Sequence, residues 1–281
     1  MTTTADIFRR LHQGPDLLLL ANCWDAASAT LIERLGARAA ATTSAGVAWA
    51  HGYPDGDALP IDRLVATVGA IARVIGVPLT VDMEGGYADD PVAVGEAVAA
   101  VVDAGAVGIN IEDGSAPPDL LAAKIARAKQ AAARAGVDLF VNARTDVYLR
   151  GLAPEPGRVA ETLARAGRYR DAGADGIFVP GLVAPADIRE IASSAGLPLN
   201  VLAWPGLPPA SELAALGVRR LSTGSGIAQV LWGRASAVAR AFLREGRSEP
   251  LADGAMSYAE MNALFAPRLT TETPLRQSEH E

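Results

Sequence analysis

The chain of 281 residues carries a formal net charge of −7, half of its residues are hydrophobic, and it contains one cysteine, Cys23. The acidic balance without a Lys/Arg cluster argues against a nucleic-acid partner, and one cysteine can form neither an intrachain disulfide nor a Cys-based zinc site. No basic-then-apolar leader and no apolar run near the roughly 20 residues of a membrane span is present, so we expect a cytoplasmic protein.

Strand-like apolar runs alternate with segments of helical periodicity along most of the chain. The first unit pairs a strand over Leu17–Cys23 with a helix over Asp25–Leu35, and the pattern repeats. The other predicted strands are Ala39–Ser44, Pro78–Met83, Val107–Glu112, Asp138–Arg144, Gly176–Pro180, Pro198–Ala203 and Arg219–Thr223. The other predicted helices are Ile61–Ile75, Pro91–Ala104, Asp119–Ala135, Arg158–Ala172, Ala186–Ala195, Ala210–Leu216 and Gly226–Glu245.

A glycine follows most of the predicted helices, where it adopts the left-handed conformation at low cost. These glycines are Gly36, Gly76, Gly105, Gly136, Gly173, Gly196 and Gly217. With right-handed crossovers, eight such βα units close into a (β/α)8 TIM barrel. An open doubly wound sheet is the alternative, but no Gly-x-Gly-x-x-Gly follows the first strand.

The chain divides into three predicted parts. Residues 1–16 form a lead-in with a helix, residues 17–245 form the catalytic barrel, and residues 246–281 form a C-terminal part. That last part contains an extra helix over Ser257–Phe265, and its polar end, Pro267–Glu281, has the composition of a poorly ordered segment.

Acidic residues follow two consecutive predicted strands. Asp82 and Glu84 end the third strand, and Glu112 and Asp113 end the fourth. Because the carboxyl ends of parallel strands share one rim of a barrel, these carboxylates can converge on a single pocket. Like charges in a partly dry cleft repel one another unless a hard cation lies between them, so the pattern predicts a Mg²⁺ site, with Mn²⁺ as the alternative. Asp113 has the weaker claim, because strand alternation turns it away from Glu112.

Other polar residues follow the remaining strands at the same rim. Arg144 suits an anionic substrate, since a guanidinium can clamp a carboxylate or phosphonate. Its structural alternative is an ion pair with Asp146 or Glu112. Trp204 either lines the pocket or packs elsewhere, and spacing does not decide between them.

Three residues are candidates for acid/base or thiol chemistry. Cys23 ends the first strand, where an inert core thiol is the commoner role. His51 and Tyr53 lie in a Gly-rich loop that could deliver an acid or base by closing, although plain surface placement is the alternative.

The chain resembles the isocitrate lyase/phosphoenolpyruvate mutase superfamily from Asn22 to Gly224. The segments that carry the resemblance are Thr43-Ser44-Ala45-Gly46 with Gly52-Tyr53-Pro54-Asp55, Val81-Asp82-Met83-Glu84-Gly85-Gly86-Tyr87, Asn110-Ile111-Glu112-Asp113-Gly114, and Val141-Asn142-Ala143-Arg144-Thr145-Asp146. The resemblance implies a Mg²⁺ enzyme that acts on small 2-oxo acids, 2-hydroxy acids or phosphonates through a metal-stabilised enolate.

The resemblance also implies roles for individual residues. Asp82 matches the direct metal ligand, and the carboxylates that hold metal-bound water match Asp55, Glu84 and Glu112. The residues implied to contact substrate are Ser44, Ala45 and Arg144, with the metal ligand Asp82 beside them, and those implied in catalysis are Arg144, Glu112 and Asp55. Asn142 and Trp204 are further substrate-binding candidates, because both follow or end strands at the same rim. Members of the superfamily exchange the last barrel helix between subunits, which implies a homo-dimer or homo-tetramer here.

One segment departs from the superfamily. The loop after the fourth strand reads Gly114-Ser115-Ala116-Pro117-Pro118-Asp119. It has neither the Lys-Lys-Cys-Gly-His sequence of isocitrate and methylisocitrate lyases nor the Asn-bearing gating loop of phosphoenolpyruvate mutases. The departure argues against isocitrate or methylisocitrate cleavage by the usual mechanism, while the metal and enolate half of the site remains.

We therefore predict a carbon–carbon lyase for a small 2-oxo or 2-hydroxy acid, resembling oxaloacetate or methylisocitrate. One alternative is phosphonate chemistry, either phosphonopyruvate hydrolysis or a reaction like that of phosphoenolpyruvate or carboxyphosphonoenolpyruvate phosphonomutases. The other is a barrel that binds a metabolite without turning it over.

Overall fold

The computed structural model describes residues 2–266, so the polar end beginning at Pro267 lies outside the described residues. Nine parallel strands in this part of the chain form one sheet in the order β1-β9-β8-β7-β6-β5-β4-β3-β2. They are β1 (Leu18–Leu20), β2 (Asn22–Cys23), β3 (Ala40–Thr42), β4 (Leu79–Asp82), β5 (Gly108–Glu112), β6 (Phe140–Arg144), β7 (Gly176–Val179), β8 (Leu199–Leu202) and β9 (Arg220–Ser222).

The first predicted strand is two strands in the structure, because it changes partners at Ala21. Its first half, β1, pairs with β9, and its second half, β2, pairs with β3. The two halves thus join the ends of the sheet, and the predicted (β/α)8 TIM barrel is confirmed.

Most of the helices follow strands and lie around the outside of the barrel, whereas α1 precedes β1. The helices are α1 (Thr4–Arg10), α2 (Ala26–Arg34), α3 (Ser44–Ala50), α4 (Ile61–Ala72), α5 (Pro91–Asp103), α6 (Pro118–Arg134), α7 (Arg158–Asp171), α8 (Pro185–Ser194), α9 (Ala210–Ala215), α10 (Gly226–Glu245), α11 (Glu249–Ala252) and α12 (Tyr258–Leu264). A 3₁₀ turn over Glu155–Gly157 precedes α7.

Two details differ from the predictions. Helix α3 occupies a stretch predicted as strand end and loop. It lies close to Trp24, the residue after β2, because Gly46 has no side chain: a Cβ there would lie 2.9 Å from the Cβ of Trp24. Gly76 does not cap α4, which ends at Ala72 with Arg73 as its C-cap residue, and the Gly76 N–H instead donates to Glu33 Oε1. The other six predicted capping glycines have positive φ, as expected for the left-handed C′ position.

The buried apolar residues form two clusters on the two sides of the strands. The larger one lies between strands and helices. The smaller one fills the lower interior of the barrel, where α1 inserts Phe8 edge-on against Phe140, with ring centroids 5.4 Å apart. A Cβ on Gly108 would lie 2.6 Å from the Phe8 ring, so glycine leaves the space that this plug fills. Helix α1 therefore closes the end of the barrel opposite the carboxylate rim.

Helix α10 is poorly covered in the single chain. Ala228 is its one buried residue in the described structure, and large apolar side chains are exposed at Val230, Leu231, Trp232, Phe242 and Leu243. Exchange of this helix between subunits remains a prediction. Within residues 2–266, none of the helices combines the length and apolarity required to cross a bilayer.

Candidate active site

Strands β4, β5 and β6 bring three of the predicted site residues to one rim. Asp82 ends β4, and Glu112 and Arg144 are paired across β5 and β6. The N–H of Glu112 donates to the carbonyl of Glu84 at 2.9 Å, which joins the two acidic segments. The structure therefore places Asp82, Glu84, Glu112 and Arg144 side by side.

Arg144 does not fully compensate the negative charges of the carboxylates at this rim. Burial raises the pKa of Glu112 to about 8, with the charges of Asp82 and Asp146 adding to the effect and Arg144 opposing it. Burial likewise raises the pKa of Asp82, and the nearby charge of Asp55 contributes. A hard divalent cation relieves such repulsion, so the donor set fits Mg²⁺.

Asp82 retains hydrogen-bonding capacity for a cation. Its Oδ2 accepts from the N–H of Ser44 at 3.4 Å, and its Oδ1 accepts from the N–H of Glu84 at 3.3 Å. Both bonds are long for N–H to oxygen, so these lone pairs are weakly used. Ser44 is partly exposed beside this carboxylate and Ala45 is buried behind it, at the start of α3.

Glu84 holds a loop in place. Its Oε2 accepts from the N–H groups of Gly56 and Asp57, and its Oε1 accepts from the hydroxyl of Tyr87 at 2.9 Å. Asp57 Oδ1 in turn accepts from the N–H of Tyr87 at 3.0 Å. Asp57, Glu84 and Tyr87 all have positive φ, between 48° and 60°, which is strained for residues with a side chain and is characteristic of functional sites.

The same loop carries Asp55. Its side chain is exposed, yet its charge raises the pKa of both Asp82 and Glu84, so it belongs to the acidic group. Asp57 also belongs to this group, and sequence reasoning missed it. The stretch Pro54-Asp55-Gly56-Asp57 typically indicates an ordinary turn, so the sequence offers no separate signal.

Arg144 forms both ion pairs that were considered as its structural role. Its Nη1 lies 2.6 Å from Glu112 Oε2, and its Nε and Nη2 lie 2.7 and 3.1 Å from the two oxygens of Asp146. Burial alone would lower the pKa of Arg144, but these carboxylates outweigh it and raise the pKa. A substrate anion must therefore compete with Glu112 for this guanidinium, and the anion-clamp role remains a prediction.

Asn142 and Trp204 occupy different environments. Asn142 is buried, and its amide donates to Asn110 Oδ1 at 2.9 Å inside the barrel, directly beneath Arg144 on β6. Trp204 lies in the turn after β8 and is 47% exposed. Asn142 can therefore support the floor of the pocket, whereas Trp204 stands at its edge.

The three acid/base candidates do not converge on the carboxylates. Cys23 is buried outside the barrel interior, where its thiol donates to the carbonyl of Ala41 and burial raises its pKa to about 12. His51 is exposed, with Nε2 2.9 Å from Thr67 Oγ1 on α4, and Tyr53 is exposed as well. Of the remaining histidines, His12 lies under the barrel and His280 lies outside the described residues.

Asp113 supports the structure from outside the pocket, in line with the strand alternation. Its carboxylate is fully buried and accepts from Arg165 Nη1 at 2.8 Å, from the Tyr169 hydroxyl at 2.6 Å and from the N–H of Asp146 at 2.9 Å. These bonds fix the start of the segment that follows Arg144.

A short connection follows β5. Five residues separate Glu112 from Pro118, the first residue of α6, and none of them is Cys, Lys or His. Helix α6 supports the rim differently, through Lys124, whose ammonium donates to the carbonyl of Gly85 at 2.7 Å. Sequence reasoning missed Lys124, because a single lysine within a helix carries no signal.

The comparisons with known proteins agree with this fold. The family model described as phosphoenolpyruvate phosphomutase matches residues 8–243. The chain belongs to this family. Its members include lyases and mutases of the phosphoenolpyruvate mutase/isocitrate lyase superfamily, so the chain is an enzyme of that superfamily.

Individual relatives cover most of the chain. An uncharacterised protein of Mycobacterium tuberculosis is 41% identical over 223 residues, which are 78% of this chain and 81% of that protein. Oxaloacetate decarboxylase of Paraburkholderia xenovorans is 31% identical over 237 residues, which are 80% of this chain and 76% of that protein. The crystal structure of a 2,3-dimethylmalate lyase is 26% identical with a TM-score of 0.81, and the match covers 95% of each chain.

Proposed function

We propose that this protein is a magnesium-dependent carbon–carbon lyase that decarboxylates a small 2-oxo acid of the oxaloacetate type. The observation that carries the proposal is the convergence of Asp82, Glu112 and Arg144 at a rim whose β5–α6 connection brings no Cys, Lys or His. The likeness to an oxaloacetate decarboxylase supports the same reaction.

The side chains at the rim distinguish between kinds of lyase reaction. Cleaving a 2-hydroxy acid requires a base that removes the hydroxyl proton, and it usually requires an acid for the leaving carbanion. Decarboxylation requires neither, because loss of CO₂ leaves an electron pair that needs only an electron sink. Cys23 and His51 point away from the carboxylates, so the described site suits decarboxylation better than cleavage of a 2-hydroxy acid.

The proposed division of work follows from the contacts. Asp82 would hold Mg²⁺ directly, with Asp55, Glu84 and Glu112 holding its water ligands. When bound, the cation supplies Lewis-acid stabilisation to the keto oxygen of the substrate. In the described residues no three His, Cys, Asp or Glu side chains are grouped closely enough to enclose an ion, so the proposal assigns one direct carboxylate and further ones acting through water.

The other residues would position the substrate. A substrate carboxylate displaces Glu112 from Nη1 of Arg144, while Asp146 keeps the guanidinium oriented through its two bonds. The N–H groups of Ser44 and Ala45 would donate to substrate oxygens. As the carbon–carbon bond breaks, its electron pair moves toward the keto group, CO₂ leaves, and the new methyl carbon takes a proton from water.

Turnover of oxaloacetate tests the proposal. Wild-type protein with Mg²⁺ should release pyruvate and CO₂, and Asp82→Asn should reduce kcat/KM by at least about 100-fold because it removes a charged metal ligand. The matched control is Asp89→Asn, an exposed carboxylate in the loop that follows. Unchanged Mg²⁺-dependent turnover by Asp82→Asn would disprove the site assignment.

The same substrate panel separates the alternatives. Phosphate release from phosphonopyruvate, without decarboxylation of oxaloacetate, would establish the phosphonate reaction instead. Thermal stabilisation by oxalate with Mg²⁺, without turnover of any substrate, would indicate a metabolite-binding barrel.

We also propose that α10 packs against another copy of the chain. Its exposed side chains include Trp232 and Leu231, which a soluble monomer rarely leaves uncovered together. A homo-dimer or homo-tetramer in sedimentation experiments would support the proposal, and a monomer at micromolar concentration would contradict it.

A further inference from the structure

Arg220 is a buried cation at the centre of the barrel. It lies on β9, and its Nη2 donates to Asn110 Oδ1 on β5 at 3.3 Å. These two strands are on opposite sides of the barrel, since four strand positions separate them in either direction around the closed sheet. The guanidinium therefore crosses the barrel axis below the carboxylate rim, and the residue is 1% exposed.

The guanidinium of Arg220 makes few of the hydrogen bonds that it could donate. Its Nε and Nη1 have no hydrogen-bond partner within residues 2–266, and no carboxylate of that part of the chain lies within 4 Å of it. Burial lowers the pKa of Arg220 to about 9, while the charge of Asp82 opposes that effect. Arg220 is still protonated at neutral pH, although a buried and unpaired charge is destabilising.

Arg144 and Arg220 both lie in the barrel interior, but their positive charges are compensated to different extents. Arg144 has carboxylates at Nε, Nη1 and Nη2, which compensate its charge within contact distance. Arg220 contacts an uncharged amide, so its positive potential extends upward to the site. Below it, His12 is neutral at neutral pH because burial lowers its pKa to about 3, and therefore adds no positive charge of its own.

We propose that Arg220 is a positioning residue that sets the electrostatic potential at the floor of the site, strengthening the binding of a small dianion and weakening that of the divalent cation. The inference rests on the proposed function, which requires both ligands. Charges act over several ångströms in a barrel interior because the effective dielectric constant there is well below that of water. A fixed positive charge beneath the pocket thus favours an anion and disfavours a cation placed above it.

The role predicts an unusual combination of effects for Arg220→Met. Methionine has similar length and flexibility but no charge. Replacing an unpaired buried charge with an apolar side chain stabilises the fold or leaves its stability unchanged. We expect Mg²⁺ alone to bind about tenfold more tightly and oxalate to bind the Mg²⁺-loaded protein about tenfold more weakly, each equivalent to ~1.4 kcal/mol. A packing defect would weaken both ligands and lower the melting temperature.

Calorimetric titration and thermal unfolding provide the test. The probes are Mg²⁺ alone and oxalate with saturating Mg²⁺, applied to wild type, Arg220→Met, Arg220→Lys and Arg219→Met. Lysine retains the charge and should keep both affinities within about threefold of wild type. Arg219 directly precedes β9 and is partly exposed, so Arg219→Met should leave both affinities unchanged.

The outcomes separate this inference from the proposed function. Wild-type protein that binds neither probe would overturn both. If wild type binds them and Arg220→Met binds them equally well, the inference alone fails. Loss of cooperative unfolding in Arg220→Met, or a weakened oxalate affinity in Arg220→Lys equal to that in Arg220→Met, would also overturn it, because either result would make Arg220 a structural requirement.

Discussion

His12 should make the protein less stable in mild acid. Its ring is 3% exposed and stacks on Phe140 with centroids 4.2 Å apart, Nδ1 lies 2.9 Å from the carbonyl of Phe8, and Nε2 has no partner among the described residues. Burial lowers the pKa of His12 from 6.5 to about 3, and the charges of Arg220 and Arg9 add to this effect. The folded protein therefore keeps the ring neutral where the unfolded chain protonates it.

The sign and size of the effect follow from this difference in pKa. The stability contributed by neutral His12 is fully present above pH 6.5 and is lost progressively as the pH falls toward 3, because the unfolded chain binds the extra proton. Each pH unit below the unfolded pKa costs about 1.4 kcal/mol, so the loss at pH 5 is about 2 kcal/mol. That is a substantial share of the roughly 5–15 kcal/mol that stabilises a typical protein.

The assay compares wild type with His12→Phe, which keeps an aromatic ring against Phe140 but cannot titrate. Urea unfolding followed by circular dichroism gives both free energies of unfolding at several pH values between 8 and 5, with chelator present. The difference at pH 8 reports packing alone, and the rim carboxylates titrate alike in both proteins. Wild type should lose about 2 kcal/mol more than the variant by pH 5. Parallel pH profiles would refute the reasoning.

Three further substitutions probe the supports of the site. Asp113→Ala should reduce the free energy of unfolding by about 3–5 kcal/mol, as urea unfolding would show, because Arg165 Nη1, the Tyr169 hydroxyl and the Asp146 N–H lose their shared buried acceptor, and only Glu161 still pairs with Arg165. Gly86→Ala should cost about 2 kcal/mol or more in the same assay, since φ is +99° and the added Cβ would lie 2.8 Å from a methyl of Val94. Tyr87→Phe removes the hydroxyl that donates to Glu84, so stability should fall by about 1 kcal/mol and limited proteolysis of the loop around Asp57 should be faster.

Matched controls sharpen these tests. Gly56→Ala shares a positive φ but has open space around the added methyl, so it should cost about 1 kcal/mol and isolate the packing part of the Gly86 effect. Equal costs at the two glycines would contradict the proposed clash. An Asp113→Ala variant as stable as wild type would contradict the supporting role of Asp113. Likewise, equal protease resistance of the loop around Asp57 in Tyr87→Phe and wild type would contradict the role of the Tyr87 hydroxyl.

The sequence predicts most of the barrel because its signals are local. Apolar periodicity and glycine punctuation recur in every βα unit and place the main strands and helices within a few residues of their observed ends. The break at Ala21 depends on which strands lie on either side, so it is not visible in the sequence. Helix α3 is too short and too rich in small residues to give a helical pattern, and Gly46 within it is a poor helix former.

The site divides in the same way. Barrel topology alone predicts that Asp82, Glu84 and Glu112 share a rim, because all three follow the carboxyl ends of neighbouring strands. The role of Asp57 depends on a loop conformation with positive φ that its sequence does not specify. Arg219 and Arg220 are adjacent, and a shift of one residue in strand register would exchange which of them enters the barrel. Side-chain function at such positions requires the three-dimensional structure.

Helix α1 blocks the end of the barrel opposite the acidic rim. Within residues 2–266, Phe8 and His12 fill the lower end, and Gly108 and Phe140 fit around them. We therefore expect substrate and product of the proposed reaction to enter and leave at the acidic rim. The charged side chains that would take part in the reaction would then also influence which molecules enter the barrel.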